Sequence, residues 1–190
     1  MKDFAPIPSK RRLQSAIRHV REGGIIAYPT EAVFALGCNP DNTAALQALL
    51  DLKGRPADKG LILIAAQFDQ LLPYIDTTAV RNLNRILKTW PGPVTWLIRA
   101  RSGVPFWLRG QHETIAVRVT NHPIAAGLCN ALGKALVSTS ANPAGFAPAQ
   151  SALKTRLYFG DSKIFILKGA VGPERKPSAI FDARTLARLR

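Results

Sequence analysis

The stretch Lys53-Gly54-Arg55-Pro56-Ala57-Asp58-Lys59-Gly60 lies between a predicted helix and the apolar run Leu61-Ile62-Leu63-Ile64. Its glycines allow the backbone to approach a ligand closely, and its proline stiffens the path of the chain. Alternate residues of an extended segment project to one side, so Lys53 and Arg55 are expected to face the same ligand. We interpret the stretch as an anion-binding loop. A solvated basic turn is the alternative, because a lone Lys-x-Arg-Pro motif is weak.

Apolar residues elsewhere in the chain fall into helical spacing or short buried runs. Strands are predicted at residues 25–28, 33–37, 61–66, 94–98, 114–119, 135–137, 163–167 and 178–182. Helical patterns begin near Ser9, Asn42, Phe68, Val80, His122 and Leu153. Apolar residues make up 47% of the 190 residues, and no internal repeat or low-complexity linker divides them. We therefore predict a single domain, with its core in residues 9–182 and a basic tail in residues 183–190.

The chain is strongly basic. It carries 26 Lys and Arg residues against 12 Asp and Glu residues, a formal net charge of +14. This charge predicts attraction to polyanions, phosphorylated small molecules or acidic surfaces, without deciding among them. One face of the first predicted helix carries Lys10, Arg11, Arg12, Arg18 and Arg21. We interpret it as the ordinary outer face of an amphipathic helix, with an RNA-facing stripe as the alternative.

Cysteine usage and hydropathy bear on the compartment. Cys38 and Cys129 are far apart in sequence and form no Cys-x-x-Cys pair, so neither a zinc knuckle nor a disulfide framework is indicated. Residues 1–9 contain prolines and no apolar h-region, and no apolar run reaches the roughly 18 residues of a membrane span. We therefore expect no export signal, no membrane span and a cytoplasmic location.

Polar residues follow two of the predicted strands, where open α/β sheets place ligand contacts. Thr30 and Glu31 follow the strand at 25–28, and Ser138-Thr139-Ser140-Ala141-Asn142 follows the strand at 135–137. Small hydroxyl and amide groups hydrogen-bond phosphate and carboxylate oxygens. Taken alone, Thr30 fits a turn as well as a ligand contact, and the Ser-Asn run fits a turn better.

Arg118 lies within the otherwise apolar strand at 114–119. A buried arginine must find an anionic partner or incur a desolvation penalty of several kcal/mol. We favour the carboxylate of a bound ligand, and a structural acid across the sheet is the alternative. Phe106 and Trp107 are expected to pack on the core rather than stack on a base, and His122 is expected to be a helix cap rather than a catalyst.

Four stretches, in this order and spacing, resemble the YrdC-like family of L-threonylcarbamoyladenylate synthases: Tyr28-Pro29-Thr30-Glu31, Lys53-Gly54-Arg55-Pro56, Ala116-Val117-Arg118-Val119 and Ser138-Thr139-Ser140-Ala141-Asn142. The match covers nearly the whole chain. It implies an α/β fold, with a twisted open mixed sheet, flanking helices and a basic concave face. It also implies that L-threonine, bicarbonate and ATP give threonylcarbamoyl-AMP and pyrophosphate, for the modification of adenosine 37 in ANN-decoding tRNAs.

The same resemblance implies roles for individual residues. The nucleotide phosphates are assigned to Lys53, Arg55, Ser140, Asn142 and Arg190. Threonine is assigned to Thr30, Arg118, Ser138 and Ser178, with Arg118 on its carboxylate. Lys53 and Arg55, together with Mg²⁺ that accompanies ATP, would stabilise charge on the leaving pyrophosphate. The sequence identifies no ligands for the metal ion.

The sequence also raises expectations about macromolecular partners and leaves two alternative functions. The resemblance implies that tRNA or another RNA binds the basic face and that partner proteins transfer the threonylcarbamoyl group. A non-catalytic module for double-stranded or ribosomal RNA is the first alternative, since phosphate affinity follows from charge alone. A relative that uses carbamoyl phosphate, as in hydrogenase maturation, is the second, although that resemblance usually lies within a much longer chain.

Overall fold

The computed structural model describes residues 8–160, 162–174 and 176–190. The helices are α1 (Lys10–Arg21), α2 (Thr43–Lys53), α3 (Leu83–Leu87), α4 (Phe106–Arg109), α5 (Pro123–Leu132) and α6 (Ala152–Phe159). The strands are β1 (Ile25–Pro29), β2 (Phe34–Gly37), β3 (Ile62–Ala65), β4 (Val94–Arg99), β5 (Thr114–Val119), β6 (Leu136–Ser140), β7 (Ile164–Ile166) and β8 (Ala179–Asp182). Residues 1–7, for which no export signal is expected, lie outside the described residues.

All these strands belong to one eight-stranded sheet with the order β7-β1-β2-β6-β3-β5-β4-β8. β1 runs parallel to β7, β3 to β5 and β4 to β8, and the other neighbouring strands are antiparallel. The predicted α/β fold, with a mixed sheet and flanking helices, is therefore confirmed. In the middle of the sheet, Ile64 of β3 pairs with Arg118 of β5 and Ile62 pairs with Ser138 of β6. The polar residues of β5 and β6 are thereby brought close together.

The central strands are buried because helices cover both faces of the sheet. In β1, Ile25 and Ala27 belong to the core layer beneath α2, whereas Ile26 and Tyr28 belong to the layer beneath α1 and α5. This alternation follows from the two-residue period of a strand. A strand covered on both faces appears in the sequence as a continuous apolar run, which is why β1 lacks a polar face.

Helix α2 brings Lys53 to the middle of the sheet. The side chain of Asn42 caps the helix by accepting from Ala45 N at 3.0 Å, and buried leucines anchor one face of the helix. Gly54 ends it with a left-handed conformation at φ 58°. Residues Ala57–Lys59 then form a 3₁₀ turn. The basic stretch is therefore compact rather than extended, and Lys53 and Arg55 do not project together from a strand-like segment.

Two other segments differ from the predicted helices. Residues Phe68–Leu71 and Thr77–Ala79 form only 3₁₀ turns, and α3 is a single short helix. The cause is tertiary, because Ile75 forms an isolated antiparallel bridge with Ala100 at the edge of the sheet. Leu153 and Leu157 lie on the exposed face of α6, whose buried residues are Thr155 and Phe159.

The two cysteines are buried free thiols in different core layers. Burial raises the pKa of Cys38 to about 12 and that of Cys129 to about 12, so both thiols are neutral at physiological pH. None of the helices in the described residues combines the length and the apolar character needed to cross a membrane.

Removal of the α2 cap should weaken the fold measurably. Asn42→Ala deletes the acceptor for Ala45 N, and we expect a loss of about 1 kcal/mol in the free energy of unfolding. Asn42→Asp keeps an acceptor and should unfold close to the wild-type temperature. Thermal unfolding followed by circular dichroism measures both variants. Equal melting temperatures for Asn42→Ala and wild type would show that the cap does not contribute.

Candidate active site

A cleft of about 310 Å³ is formed by β3, β5 and β6, the turn between β1 and β2, the chain before β8, and Arg190. Its polar lining includes Thr30, Glu31, Arg55, Arg118, Ser138, Ser140, Glu174, Lys176, Ser178 and Arg190. Every residue that the resemblance assigns to ATP or threonine lines this cleft, apart from Lys53 and Asn142. Residues from distant parts of the sequence therefore meet in one cavity.

Arg118 is 8% exposed and lies on β5 at the floor of the cleft. Its Nη2 atom is 3.2 Å from Oε2 of Glu31, and Thr120 Oγ1 donates to Oε1 of the same carboxylate at 2.6 Å. The arginine therefore has a structural acid as a partner, which the sequence had offered as the alternative. Its Nε atom is buried without a hydrogen-bond partner among the described residues, so Nε faces the protein interior. Because Arg118 also lines the cleft, the Nη donors that Glu31 does not contact are the part of the guanidinium available to a ligand.

Thr30 combines the two roles that the sequence left open. Its hydroxyl donates to the carbonyl of Val33 at 2.8 Å and closes the turn between β1 and β2, while the side chain lines the cleft. Because the hydroxyl proton is used in the turn, its oxygen faces a ligand only as an acceptor. Ser138 lines the cleft from β6, beside the buried Tyr28, whose hydroxyl donates to Val137 O at 3.1 Å.

Ser178 is held from two directions. Its hydroxyl is 2.9 Å from Oγ1 of Thr95, a fully buried residue of β4. Its carbonyl accepts from Nε of Arg190 at 3.3 Å and from Nη2 at 3.0 Å. Burial, and next the nearby charge of Arg118, lower the pKa of Arg190. The tail of the chain is therefore ordered against the cleft and places a cation beside Arg118.

Lys53 and Asn142 lie behind the wall of the cleft. The Lys53 ammonium donates to the carbonyls of Ser140 and Asn142, the latter at 2.8 Å. Burial lowers the pKa of Lys53 to about 8, with a smaller contribution from the charge of Arg55. The Asn142 amide nitrogen donates to the carbonyls of Pro143 at 3.0 Å and Phe146 at 2.8 Å. Both side chains thus shape the loop that follows β6.

Arg55 is the residue of the basic stretch that lines the cleft. Its Nη2 atom donates to the carbonyl of Gly60 at 3.0 Å, which closes the stretch on itself. Burial lowers its pKa, although an arginine remains protonated under all ordinary conditions. Its Nε atom is buried without a hydrogen-bond partner among the described residues, so the remaining Nη donors are the ones that can meet an anion.

The cleft has a surplus of positive charge among the described residues that line it. Arg55, Lys176 and Arg190 face it without an ion-pair partner, while Arg118 is paired with Glu31. Glu174 is the other carboxylate there. Such a cavity favours anionic ligands, and its hydroxyl groups can hydrogen-bond carboxylate or phosphate oxygens.

Sequence reasoning missed three contributors to the cleft: the buried role of Glu31 and the supporting hydroxyls of Thr95 and Thr120. A polar residue within an apolar strand was the only signal for Thr95. His122 precedes α5, as expected, but its side chain forms no cap, and Nε2 lies 3.1 Å from Ala170 O. Trp107 packs against the core as expected, whereas Phe106 is exposed and meets Trp107 edge-on, and neither lines the cleft.

Comparisons with known proteins agree with this arrangement. The family model Sua5_yciO_yrdC, described as telomere recombination, matches residues 18–190. A Nitrosococcus oceani protein named threonylcarbamoyl-AMP synthase is 55% identical over 179 residues, which cover 94% of this chain and 97% of that protein. A Halorhodospira halophila protein of the same name is 46% identical over 190 residues, which cover 100% of both chains.

A solved structure shares the fold. The crystal structure of P. abyssi Sua5 complexed with L-threonine matches with a TM-score of 0.82 and 31% identity, over 90% of this chain and 50% of that chain. The protein thus spans about half the length of that Sua5 chain. Fold and cleft together define an α/β protein with a cation-rich cavity at the centre of a mixed sheet. The chain belongs to the Sua5/YciO/YrdC family.

The pH dependence of stability tests the buried position of Lys53. Its pKa of about 8, lowered from 10.5, means that the folded chain releases this proton before the unfolded chain does. Between these values the unfolded chain binds more protons, so the contribution of Lys53 to stability rises with pH. We expect the stability of wild type to increase relative to that of Lys53→Met between about pH 8 and about pH 10, as measured by urea unfolding.

Lys59→Met is the matched control, because Lys59 is an exposed lysine of the same stretch. Its stability should follow that of wild type across this pH range. Parallel curves for wild type and Lys53→Met would contradict the lowered pKa.

Proposed function

We propose that this protein is a threonylcarbamoyl-AMP synthase, which forms threonylcarbamoyl-AMP and pyrophosphate from L-threonine, bicarbonate and ATP. The observation that carries the proposal is one cleft in which a partly available arginine, three further cations and several hydroxyls converge. The 55% identity to a protein named for this activity supports it over nearly the full chain. A P. abyssi relative complexed with L-threonine supports the amino-acid substrate.

Threonine binds at Arg118. Its carboxylate accepts from the guanidinium donors that Glu31 does not use, and charge-assisted bonds of this kind are the strong ones. Ser138 and Ser178 offer hydroxyls around the remaining polar atoms, and Thr30 offers an acceptor oxygen. Thr95 holds the Ser178 hydroxyl in place from the buried side.

The phosphates of ATP bind at Arg55, Ser140 and Arg190. Arg190 lies next to two of the residues assigned to threonine, Arg118 and Ser178. Arg55 and Arg190 meet phosphate oxygens directly. Lys53 lies behind the wall of the cleft, so it acts on the nucleotide through its nearby positive charge rather than through direct contact with a phosphate oxygen. Lys53 also holds the carbonyls of Ser140 and Asn142, and Asn142 keeps the loop after β6 folded.

The chemistry requires no side-chain nucleophile. The amino group of threonine and bicarbonate form a carbamate with loss of water. A carbamate oxygen then attacks the α-phosphorus of ATP, the bond from that phosphorus to the bridging oxygen breaks, and pyrophosphate leaves with the electron pair. Arg55 and Lys53 stabilise the charge that develops on pyrophosphate, and this electrostatic contribution is usually the largest in such reactions.

Mg²⁺ accompanies ATP in this proposal. In the described part of the chain, no group of three His, Cys, Asp or Glu side chains is arranged to hold a metal ion. Both oxygens of Glu31 are engaged by Arg118 and Thr120, and Glu174 is exposed at the rim. Phosphate oxygens and water would therefore supply most of the ligands, and the ion would neutralise phosphate charge.

The product is activated for transfer to adenosine 37 of tRNA. We further propose that partner proteins carry out the transfer, that the basic face contacts tRNA or another RNA, and that the protein acts in the cytoplasm, where ATP and tRNA are present. The net charge of +14 supports the RNA contact. A purely RNA-binding module is not favoured, because it would not need the paired arginine and hydroxyls of the cleft.

Pyrophosphate release tests the proposed reaction. Release should require threonine and bicarbonate together, because the carbamate must form before ATP is attacked. Arg55→Ala should lower the rate by about 100-fold, since one group that stabilises the developing charge is removed. The matched control is Lys59→Ala, which removes an exposed cation of the same stretch outside the cleft and should keep the wild-type rate.

Three results would count against the proposal. Steady release with threonine in a carbon-dioxide-depleted solution would indicate ordinary aminoacyl-adenylate formation. No release under any combination of substrates would favour the RNA-binding module. Equal rates for Arg55→Ala and Lys59→Ala would remove Arg55 from the reaction. Added salt separates the RNA contact from catalysis, because RNA affinity falls steeply with salt.

A further inference from the structure

Glu31 belongs to the Tyr28-Pro29-Thr30-Glu31 motif, yet the proposed reaction gives it no contact with a substrate. It is 4% exposed, and carboxylates are almost never buried so far unless they are paired. Each of its oxygens has a separate partner: Oε1 accepts from Thr120 Oγ1 at 2.6 Å, and Oε2 lies 3.2 Å from Arg118 Nη2. The carboxylate therefore joins a buried hydroxyl to the arginine that lines the cleft.

Both partners of Glu31 belong to β5 or to its direct continuation. Arg118 and Thr120 are two residues apart, so their side chains lie on the same face. The backbone of Thr120 continues the ladder of β5, because its N–H donates to Ala65 O at 2.9 Å. Both donors are thus fixed to the centre of the sheet. Glu31 reaches them from the turn after β1, although β6 and β3 separate β2 from β5 in the sheet order.

The backbone of Glu31 is fixed from the opposite side. Its carbonyl accepts from Glu174 N at 3.1 Å, and the carbonyl of Thr30 accepts from Gly172 N at 2.9 Å. A side chain at position 172 would bring a Cβ atom within 2.7 Å of that Glu31 carbonyl, so the close approach requires glycine. Both the backbone and the carboxylate of Glu31 are therefore held in place, so Glu31 is a rigid support for Arg118.

We propose that Glu31, oriented by Thr120, is a positioning residue for Arg118 and thereby sets the affinity for threonine. The inference rests on the proposed function, in which Arg118 contacts the threonine carboxylate. Through its ion pair with Nη2, Glu31 restrains the guanidinium at the floor of the cleft and keeps the remaining Nη donors in place for the ligand. An arginine that is already ordered loses less rotamer freedom on binding.

The opposite effect is physically possible and defines the test. Glu31 is an anion, so it also competes with the threonine carboxylate for Arg118. If competition dominated, weakening the contact would tighten threonine binding. If positioning dominates, weakening it raises the KM for threonine and leaves the KM for ATP unchanged, because the phosphates meet other cations. A residue that only stabilises the fold would change neither KM value.

Thr120→Val is the primary variant, because it removes the hydroxyl that orients Glu31. The same hydroxyl accepts from His122 N at 3.2 Å, so thermal unfolding must show that the variant keeps its fold. We expect the KM for threonine to rise about tenfold and the KM for ATP to stay within about twofold, in line with the loss of one charge-assisted hydrogen bond. Thr120→Ser restores the hydroxyl and should restore the affinity. The matched control is Thr155→Val, which removes a fully buried threonine hydroxyl that donates to Ser151 O at 2.9 Å in α6, away from the cleft.

Glu31→Gln is the second variant, with an expected increase of about 30-fold in the KM for threonine. Calorimetry with threonine alone measures affinity independently of turnover, and Thr120→Val decides the matter if Glu31→Gln fails to fold. Unchanged or tighter threonine binding in folded variants of an active enzyme would overturn the inference alone, as would equal losses for threonine and ATP. A wild-type protein without threonine-dependent pyrophosphate release would instead overturn the proposed function, and the inference with it.

Discussion

Burial of the central strands on both faces is the constraint on which the cleft depends. A polar side chain in such a strand must find a hydrogen-bond partner or reach a cavity, since an unsatisfied buried group costs several kcal/mol. Thr95 meets this condition through Ser178, and Arg118 meets it through Glu31. Ser138 does so by lining the cleft. The same burial that stabilises the sheet therefore gathers the polar residues at one place.

The cations of the site are held mostly by carbonyl groups. Lys53 donates to the carbonyl of Asn142, Arg55 to that of Gly60 and Arg190 to that of Ser178. A carbonyl fixes the direction of a cation without cancelling its charge, so the positive potential remains for the substrate. Arg118 differs because a carboxylate partly neutralises it. Fixed charges of this kind need no reorganisation when the transition state forms.

Much of the fold follows from local patterns in the sequence. The strands were predicted because burial on both faces produces apolar runs. Ser9 and Asn42 mark the starts of α1 and α2 as caps, Pro123 marks the start of α5, and glycines follow the ends of all three helices. Between Phe68 and Trp90 the helical spacing predicts two helices, whereas only the short α3 forms, because the bridge between Ile75 and Ala100 overrides that spacing. In α6, leucines at helical spacing are exposed, since Thr155 and Phe159 supply the buried face.

The sequence predicts which residues form the site better than it predicts the contacts between them. Of the residues that the resemblance assigns to threonine, Thr30, Arg118 and Ser138 lie in the quoted motifs and Ser178 does not, and the structure brings all four to one cleft. The pairing of Arg118 with Glu31 and the support of Ser178 by Thr95 join distant parts of the chain, and neither spacing nor composition specifies such contacts. The buried position of Lys53 follows from the compact form of its loop, whereas a sequence pattern suggested an extended one.

The central claim is that a single cleft joins threonine, bicarbonate and ATP into one product. Incubation of the purified protein with L-threonine, ATP and ¹³C-bicarbonate, followed by mass spectrometry of the nucleotides, tests it most directly. The account predicts an adenylate that contains both the threonine moiety and the labelled carbon. An adenylate that contains threonine without the label would contradict it, as would the absence of any threonine-containing adenylate.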